Sequence, residues 1–143
     1  MTPADETLWP LFGSGPRGVL VTLKRDSRPQ LSNVGYLYDP KTRTALISVT
    51  DDRAKTKNLR RDPRVSLHVN ADDFWSYVVV EADAELSPVA AAPDDATVDE
   101  LVEMYQALQG EHPDWDDYRR AMVADGRLVL TIRPAHAYGM LRA

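Results

Sequence analysis

The 143-residue chain contains no cysteine, and this absence removes several kinds of chemistry at once. Disulfide bonds, thiolate metal ligands and a cysteine nucleophile are all excluded. Histidine is scarce as well, because His68, His112 and His136 lie far apart and show no spacing typical of a metal-binding motif. We therefore expect no metal site.

Long hydrophobic runs are also missing, since no stretch approaches the roughly eighteen consecutive apolar residues of a membrane span. The first residues, MTPADETLWPLF, place acidic side chains where a secretory signal peptide requires basic ones. We therefore expect a soluble, cytoplasmic protein without a membrane partner. The apolar fraction of 43% suits one domain with its own core, so residues 1–143 are interpreted as a single domain.

Positive charge is in short supply, since 17 lysines and arginines face 22 acidic residues and give a net charge of −5. A general nucleic-acid-binding surface relies on phosphate contacts and is therefore not expected. The cations are nevertheless concentrated, and six of them lie in one short segment: Arg53, Lys55, Lys57, Arg60, Arg61 and Arg64. This basic segment indicates a local anion site.

Six segments have the β-branched or alternating pattern of β-strands and are mostly separated by turn signals. They cover residues 17–24, 29–39, 43–50, 64–70, 75–87 and 127–141. The second segment alternates Leu31 and Asn33 on one face with Gln30 and Ser32 on the other. Strands of this kind predict an antiparallel sheet that closes into a small barrel.

Helix signals lie between and before these strands. An N-terminal helix is predicted to take its cap from Thr2 or Asp5. The spacing of Thr97 and Glu100 predicts a capping box at the start of an amphipathic helix. A further helix is predicted over residues 115–126, where a glycine ends it.

The basic segment combines the end of a strand with the start of a helix. Asp51 and Asp52 are good N-cap residues, and Asp62 precedes a proline that disfavours helix, so a helix fits residues 53–61. A helix N-terminus presents unpaired N–H groups and a partial positive charge, which suit a phosphate or a carboxylate. We expect three side chains to converge on such an anion: Arg53, Lys55 and Asn58. The alternative is an ordinary solvated helix face.

Four stretches resemble one family: RPQLSNVGY at 28–36, RAKTKNLRRDPRVS at 53–66, WSYVVVEADAELSP at 75–88 and GEHPDWDDYRRAMV at 110–123. They look like the small actinobacterial proteins of the pyridoxamine-phosphate-oxidase-like class that bind the deazaflavin coenzyme F420. The resemblance covers nearly the whole chain. It implies a mainly β fold with helices, namely a six-stranded antiparallel split β-barrel of the FMN-binding, PNPOx-like type. It also implies a homodimer with a cofactor groove at its interface.

The resemblance implies roles for individual residues. The cofactor phosphate falls on Arg53, Lys55 and Asn58, with Lys57 close by. Further contacts are implied at the ring system for Gln30 and Ser48, and at the partner subunit's cofactor for Trp75. The other three arginines of the basic segment stay open between contacts with the poly-glutamate tail of the cofactor and solvated charge.

The function implied by the resemblance is that of an F420-dependent reductase. Such an oxidoreductase passes a hydride from the deazaflavin to an unsaturated small-molecule acceptor, such as a quinone, an enone or a tetrapyrrole-like compound. The cofactor supplies the redox chemistry, and no catalytic residue is assigned. Two alternatives stay open: an FMN-dependent oxidase or reductase on the same fold, and a non-catalytic F420 carrier.

Overall fold

The computed structural model describes residues 6–142, whose strands form two antiparallel β-sheets. Within these residues the strands are β1 (Arg17–Leu23), β2 (Pro29–Gly35), β3 (Leu37–Asp39), β4 (Thr44–Thr50), β5 (Arg64–Asn70), β6 (Tyr77–Asp83), β7 (Glu85–Leu86), β8 (Arg127–Ile132) and β9 (His136–Met140). The helices are α1 (Trp9–Gly13), α2 (Ala54–Arg61), α3 (Ala96–Gln109) and α4 (Trp115–Ala124). The five-stranded sheet has the order β2-β1-β5-β6-β9, and the four-stranded sheet has the order β3-β4-β8-β7.

Three of the six predicted strands bend from one sheet into the other. The segment 29–39 contributes β2 to the five-stranded sheet and β3 to the four-stranded sheet, with Tyr36 at the bend. The segments 75–87 and 127–141 divide in the same way. The prediction of one closed six-stranded barrel is therefore corrected to nine strands in two sheets among the described residues. In the segment 29–39 the burial alternates as far as Gly35, whereas all three residues of β3 are half-buried, which the sequence pattern does not predict.

A main cluster of buried side chains joins the two sheets, and β5 turns every second residue into it. Helix α1 packs against this cluster, where Phe12 stacks on Tyr36 with ring centroids 5.7 Å apart. The Tyr36 hydroxyl donates a hydrogen bond to the carbonyl oxygen of Phe12, and burial raises the pKa of Tyr36 to about 12. The caps predicted for this helix, Thr2 and Asp5, lie outside the described residues.

Helices α3 and α4 form a second layer on the four-stranded sheet. Asp95 caps α3, because its carboxylate accepts a hydrogen bond from the N–H of Val98 at 2.8 Å. The predicted cap is wrong, since the helix begins two residues earlier and the Thr97 hydroxyl instead donates to the carbonyl oxygen of Pro88 at 2.9 Å. Helix α4 begins where predicted and ends shortly before Gly126.

Residues 91–126 form an excursion from the four-stranded sheet, and α3 and α4 are its helices. Backbone hydrogen bonds join its ends, from Ala90 N–H to the Arg127 carbonyl oxygen at 2.7 Å and from Ser87 N–H to that of Val129 at 2.9 Å. The excursion covers one face of the sheet, while the main cluster covers the other. No helix within residues 6–142 is long and apolar enough to span a membrane.

Candidate functional site

The basic segment lies where β4 ends and α2 begins. The chain becomes helical at Ala54, and Arg53 occupies the N-cap position with an extended backbone (φ −75°, ψ 151°). The predicted caps Asp51 and Asp52 are therefore wrong, because both precede the N-cap position. In the described structure the N-cap side chain makes no capping hydrogen bond and the first turn contains no acidic residue. The N–H groups of this turn thus keep the capacity to bind an anion.

Thr56 and Asp51 anchor this junction. The buried Thr56 hydroxyl donates a hydrogen bond to the carbonyl oxygen of Thr50 at 2.7 Å. The backbone N–H of Asp51 donates to the carbonyl oxygen of Gly126 at 2.9 Å, which continues the pairing of β4 with β8 beyond Thr50. The β4–α2 turn is thereby attached to the start of β8, where Arg127 lies directly opposite Thr50.

The second half of the basic segment is bonded within the protein. Arg60 forms an ion pair with Asp51 at 2.6 Å. Arg64 forms one with Asp62 at 2.8 Å, and its hydrogen bonds lower the pKa of the Asp62 carboxyl. Arg61 donates to a carbonyl oxygen at the end of β1 at 2.8 Å. These three arginines therefore have acceptors without any ligand.

The first half of the basic segment carries charges without carboxylate partners. Arg53, Lys55 and Lys57 form no ion pair with any residue in the described range 6–142. Burial lowers the pKa of Lys55, and the guanidinium groups of Arg53 and Arg127 lower it further. Neighbouring cations disfavour one another, and an anion bound among them removes that repulsion. This half of the segment is therefore suited to anion binding.

Gln30, Lys57 and Asn58 line one groove of about 490 Å³ beside α2. The two carboxamides are connected through Thr22, whose hydroxyl donates to Gln30 Oε1 at 3.0 Å and accepts from Asn58 Nδ2 at 3.1 Å. Asn58 is buried, and its Oδ1 accepts from Arg61 at 3.1 Å. The predicted contact of Asn58 with a phosphate stays a prediction. Its observed bonds hold α2 against β1 and orient Gln30.

Ser48 lies in a different cavity of about 330 Å³, here called the α3–α4 cavity, between the excursion and the four-stranded sheet. Arg127 lines the same cavity, and its Nη1 lies 3.4 Å from Ser48 Oγ. Apolar and aromatic side chains form much of the remaining wall: Leu101, Met104, Tyr105, Tyr118 and Met122. The structure thus places Ser48 beside Arg127, while Gln30 lies with Lys57.

Trp75 projects from the hairpin between β5 and β6. Its side chain is 59% exposed, and it contacts the ring of Phe74, which is 62% exposed, edge to face at 5.1 Å. The turn is held by hydrogen bonds from the Asn70 side chain to the Phe74 carbonyl oxygen at 2.8 Å and from Ser76 N–H to the Asp73 carboxylate at 3.0 Å. Phe74 has a φ of 71°, which is rare for a residue other than glycine. An ordered hairpin therefore presents two aromatic rings.

The outer face of the five-stranded sheet, which points away from the main cluster, carries apolar and aromatic side chains. The strand register aligns Val19, His68, Val79 and Tyr138 in one row across four strands. The ring of His68 stacks on that of Tyr77 at a centroid distance of 5.4 Å. Both edge strands, β2 and β9, add exposed apolar side chains to this face. The neighbouring row of Val21, Ser66, Glu81 and His136 is mostly polar, so the face combines an apolar and aromatic row with polar side chains beside it.

Comparisons with known proteins connect this geometry to a family. The sequence profile described as pyridoxamine 5'-phosphate oxidase matches residues 5–140, which is nearly the entire chain. The chain belongs to the pyridoxamine 5'-phosphate oxidase family. The expected membership of the pyridoxamine-phosphate-oxidase-like class is thereby confirmed. The expected mainly β fold with antiparallel sheets and helices is confirmed as well.

Solved structures with the family's PNPOx-like fold have diverse descriptions. A conserved hypothetical protein from Mycobacterium tuberculosis is 20% identical over 97% of this chain and 84% of its own, with a TM-score of 0.71. An F420 reductase is 21% identical over 96% of this chain and 98% of its own, with a TM-score of 0.64. A heme storage protein from Vibrio cholerae is 11% identical over 96% and 95%, with a TM-score of 0.66. At these identities the similarity shows the fold.

Sequence reasoning missed three residues of the candidate site in this family member: Thr22, Thr56 and Arg127. The two threonines carry no charge, and only the structure shows that their hydroxyls connect strand, helix and turn. The one sequence signal for Arg127 is its position directly after Gly126 at the start of a predicted strand. Its approach to Ser48, 79 positions earlier, depends on the pairing of β4 with β8.

Proposed function

We propose that this protein binds the deazaflavin coenzyme F420 and acts as an F420-dependent reductase, passing a hydride to an unsaturated organic acceptor such as a quinone, an enone or a tetrapyrrole-like compound. The observation that carries the proposal is the positive charge of Arg53, Lys55 and Lys57, which pairs with no carboxylate among residues 6–142 and lies at the first turns of α2 in a chain of the pyridoxamine 5'-phosphate oxidase family. A phosphate at this position meets backbone N–H groups, the positive end of the helix dipole and several cations.

The remaining contacts are proposed to extend from this junction. Asn58 is assigned to the phosphate, and Gln30 and Ser48 are assigned to the ring system. The hydrogen bonds through Thr22 support the assignment of Gln30, because they hold its carboxamide in one orientation. A bound deazaflavin supplies the hydride, and the protein binds and orients both reactants.

The proposed assembly is a homodimer in which two copies meet through the outer face of the five-stranded sheet. Exposed apolar side chains grouped on one face of a sheet, here Leu31, Tyr138 and Met140, are typical of interfaces. The exposed rings of Phe74 and Trp75 lie on the hairpin that follows β5 in the same sheet. In this arrangement Trp75 reaches the cofactor of the partner subunit.

The assembly is tested by light scattering coupled to size-exclusion chromatography. Tyr138→Asp places a charge on the outer face at a half-exposed position, so the dimer is expected to dissociate. Lys41→Asp, in the exposed turn between β3 and β4, makes a larger charge change elsewhere and should leave the dimer intact. A monomeric unsubstituted protein would contradict the proposed assembly.

The cofactor is tested by titrating the purified protein in parallel with F420, FMN and heme. F420 is expected to bind most tightly, because its phosphodiester and poly-glutamate tail offer more negative charge to the basic segment than FMN does. Heme is included in the titrations because a heme storage protein has the same fold. Oxidation of bound reduced F420 is then followed with quinone, enone and tetrapyrrole acceptors, and acceleration over the protein-free rate is expected.

The two alternatives predict different outcomes of the same experiment. FMN is the second candidate, because the cations of α2 suit its phosphate equally well, and tighter binding of FMN than of F420 would favour a flavin oxidase or reductase. An FMN enzyme should also react with oxygen, whereas a deazaflavin lacks the ring nitrogen that supports this reaction. Tight F420 binding without acceleration by any acceptor would favour a carrier.

A further inference from the structure

The α3–α4 cavity contains an incompletely bonded guanidinium group. Among the described residues that line it, Arg127 is the one with a formal charge. Its Nε is buried and has no hydrogen-bond partner in the part of the chain that the structure describes, and the contact of its Nη1 with Ser48 at 3.4 Å is long for a hydrogen bond. A buried donor without an acceptor is unfavourable, and natural structures rarely retain one. The cavity therefore has capacity for an acceptor group supplied by a ligand.

The surroundings of Arg127 favour an anionic acceptor over a neutral one. Within residues 6–142, Arg127 forms no ion pair with a carboxylate. Lys55 lies near enough to Arg127 for electrostatic repulsion, which adds to the positive potential. A carboxylate matches the planar fork of a guanidinium group and can accept two parallel hydrogen bonds from it.

The aromatic part of the cavity wall suits an apolar or aromatic body. The rings of Tyr105 and Tyr118 lie 5.0 Å apart, and the Tyr118 hydroxyl donates to the carbonyl oxygen of Leu101 at 3.2 Å, which ties α4 to α3. Trp115 contacts both tyrosine rings, and its Nε1 donates to Glu111 at 3.0 Å. These bonds preform the wall. The volume of about 330 Å³ fits a small ligand.

We infer that the α3–α4 cavity binds an organic anion, with its carboxylate on Arg127 and its apolar or aromatic body against Tyr105 and Tyr118. The inference rests on the proposed function in one respect, because the hydride acceptor of that function would then be an unsaturated acid. Its double bond gains the hydride of the reduced deazaflavin and one proton from solvent, while the deazaflavin loses that hydride and releases one proton to solvent. Binding of the acid itself requires no cofactor.

The site is tested by calorimetric titration of the cofactor-free protein with 2-naphthoate and with its uncharged amide, 2-naphthamide. The two probes share an aromatic body and differ in charge at the group that meets Arg127. Charge-assisted hydrogen bonds should make the acid bind about tenfold more tightly than the amide. Equal affinities for the two probes would overturn the inference.

Four substitutions, the last of them a control, test the charge of Arg127 and the aromatic wall separately. Arg127→Gln should remove the preference for the acid, and Arg127→Lys should restore part of it because lysine keeps the charge but not the fork. Tyr105→Ala should weaken both probes by a similar factor. Arg120→Gln removes an exposed arginine of α4 and should change neither affinity. Thermal unfolding followed by circular dichroism verifies that each variant is folded.

A competition experiment separates this inference from the proposed function. Saturating F420 should leave naphthoate binding intact, whereas full displacement would overturn the inference, because Arg127 would then serve the cofactor. An acid preference that survives Arg127→Gln would overturn it as well, even if F420 binds as proposed. If F420 does not bind but the acid preference depends on Arg127, the anion site is supported while its role as an acceptor site is refuted.

Discussion

The two halves of the basic segment carry the same kind of charge in opposite arrangements. Arg60 and Arg64 meet Asp51 and Asp62 at ion-pair distance, whereas no described carboxylate pairs with Lys55 or its neighbours in the first half. The first half also lies at the N-terminus of α2, where the helix dipole disfavours positive charge. The position of unpaired charge, more than the number of basic residues, therefore marks a candidate site.

The strongest test of this difference removes two cations from each half. Arg53→Ala with Lys55→Ala should weaken F420 binding about a hundredfold, because two charge-assisted contacts to the phosphate are lost. Arg60→Ala with Arg64→Ala changes the net charge equally and should alter the affinity by about twofold or less. Fluorescence titration of both double variants measures the two effects. Equal losses would show that the protein binds the cofactor through general charge alone.

Asn58 lies between the halves, and its replacement tests whether it holds them in place. Asn58→Ala should lower the free energy of unfolding by about 1–2 kcal/mol, because Thr22 loses a hydrogen-bond donor and Arg61 loses an acceptor. Gln109→Ala removes an exposed carboxamide and should cost less than about 0.5 kcal/mol. Urea denaturation provides both values. An unfolding free energy that is unchanged in Asn58→Ala would refute the role of Asn58 in holding α2 against β1.

The pH dependence of binding tests the first half specifically. An anion binds the charged form of Lys55, whose pKa in the free protein lies below the ordinary value of 10.5. Affinity should therefore fall as the pH rises, and the fall should begin at lower pH than for an ordinary lysine. Lys55→Arg should flatten this profile because arginine stays charged, while Lys41→Arg should not. Persistence of the fall in Lys55→Arg would exclude Lys55 as its source.

The smallest effect is expected for the exposed ion pair of the second half. Arg60→Ala should lower the free energy of unfolding by about 0.5 kcal/mol or less, because water screens its pair with Asp51. Thermal unfolding at low and high salt measures this difference, which should shrink as salt is added. A loss above about 1.5 kcal/mol would mean that Arg60 holds the junction together, and the contrast between the halves would need revision.

The strands of this fold were largely predictable, whereas their division between two sheets was not. Alternation between two faces marks residues 29–39 as one extended segment, and the observed burial alternates over β2. Beyond the bend at Tyr36 all three residues of β3 are half-buried, a change that the sequence pattern does not predict. Packing of one sheet against the other decides the position of the bend.

Tertiary contacts also explain why parts of the candidate site could not be predicted from the sequence. Aspartates near a helix start compete for the cap, and the side chain that wins depends on tertiary partners: Arg60 engages Asp51, while Asp95 caps α3 ahead of Thr97. The concentration of cations in the basic segment was visible in the sequence, but their pairing was not. Arg127 joins them only because β8 pairs with β4.

The excursion between β7 and β8 leaves and re-enters the sheet at points that hydrogen bonds join directly. A segment attached in this way can change its length and composition without disturbing the strand pairing that supports it. The wall formed by Tyr105 and Tyr118 therefore belongs to a different part of the chain from the basic segment at the β4–α2 junction. We expect relatives to differ most in this excursion, and therefore in the small molecules that they bind, while the strands of the two sheets stay the same.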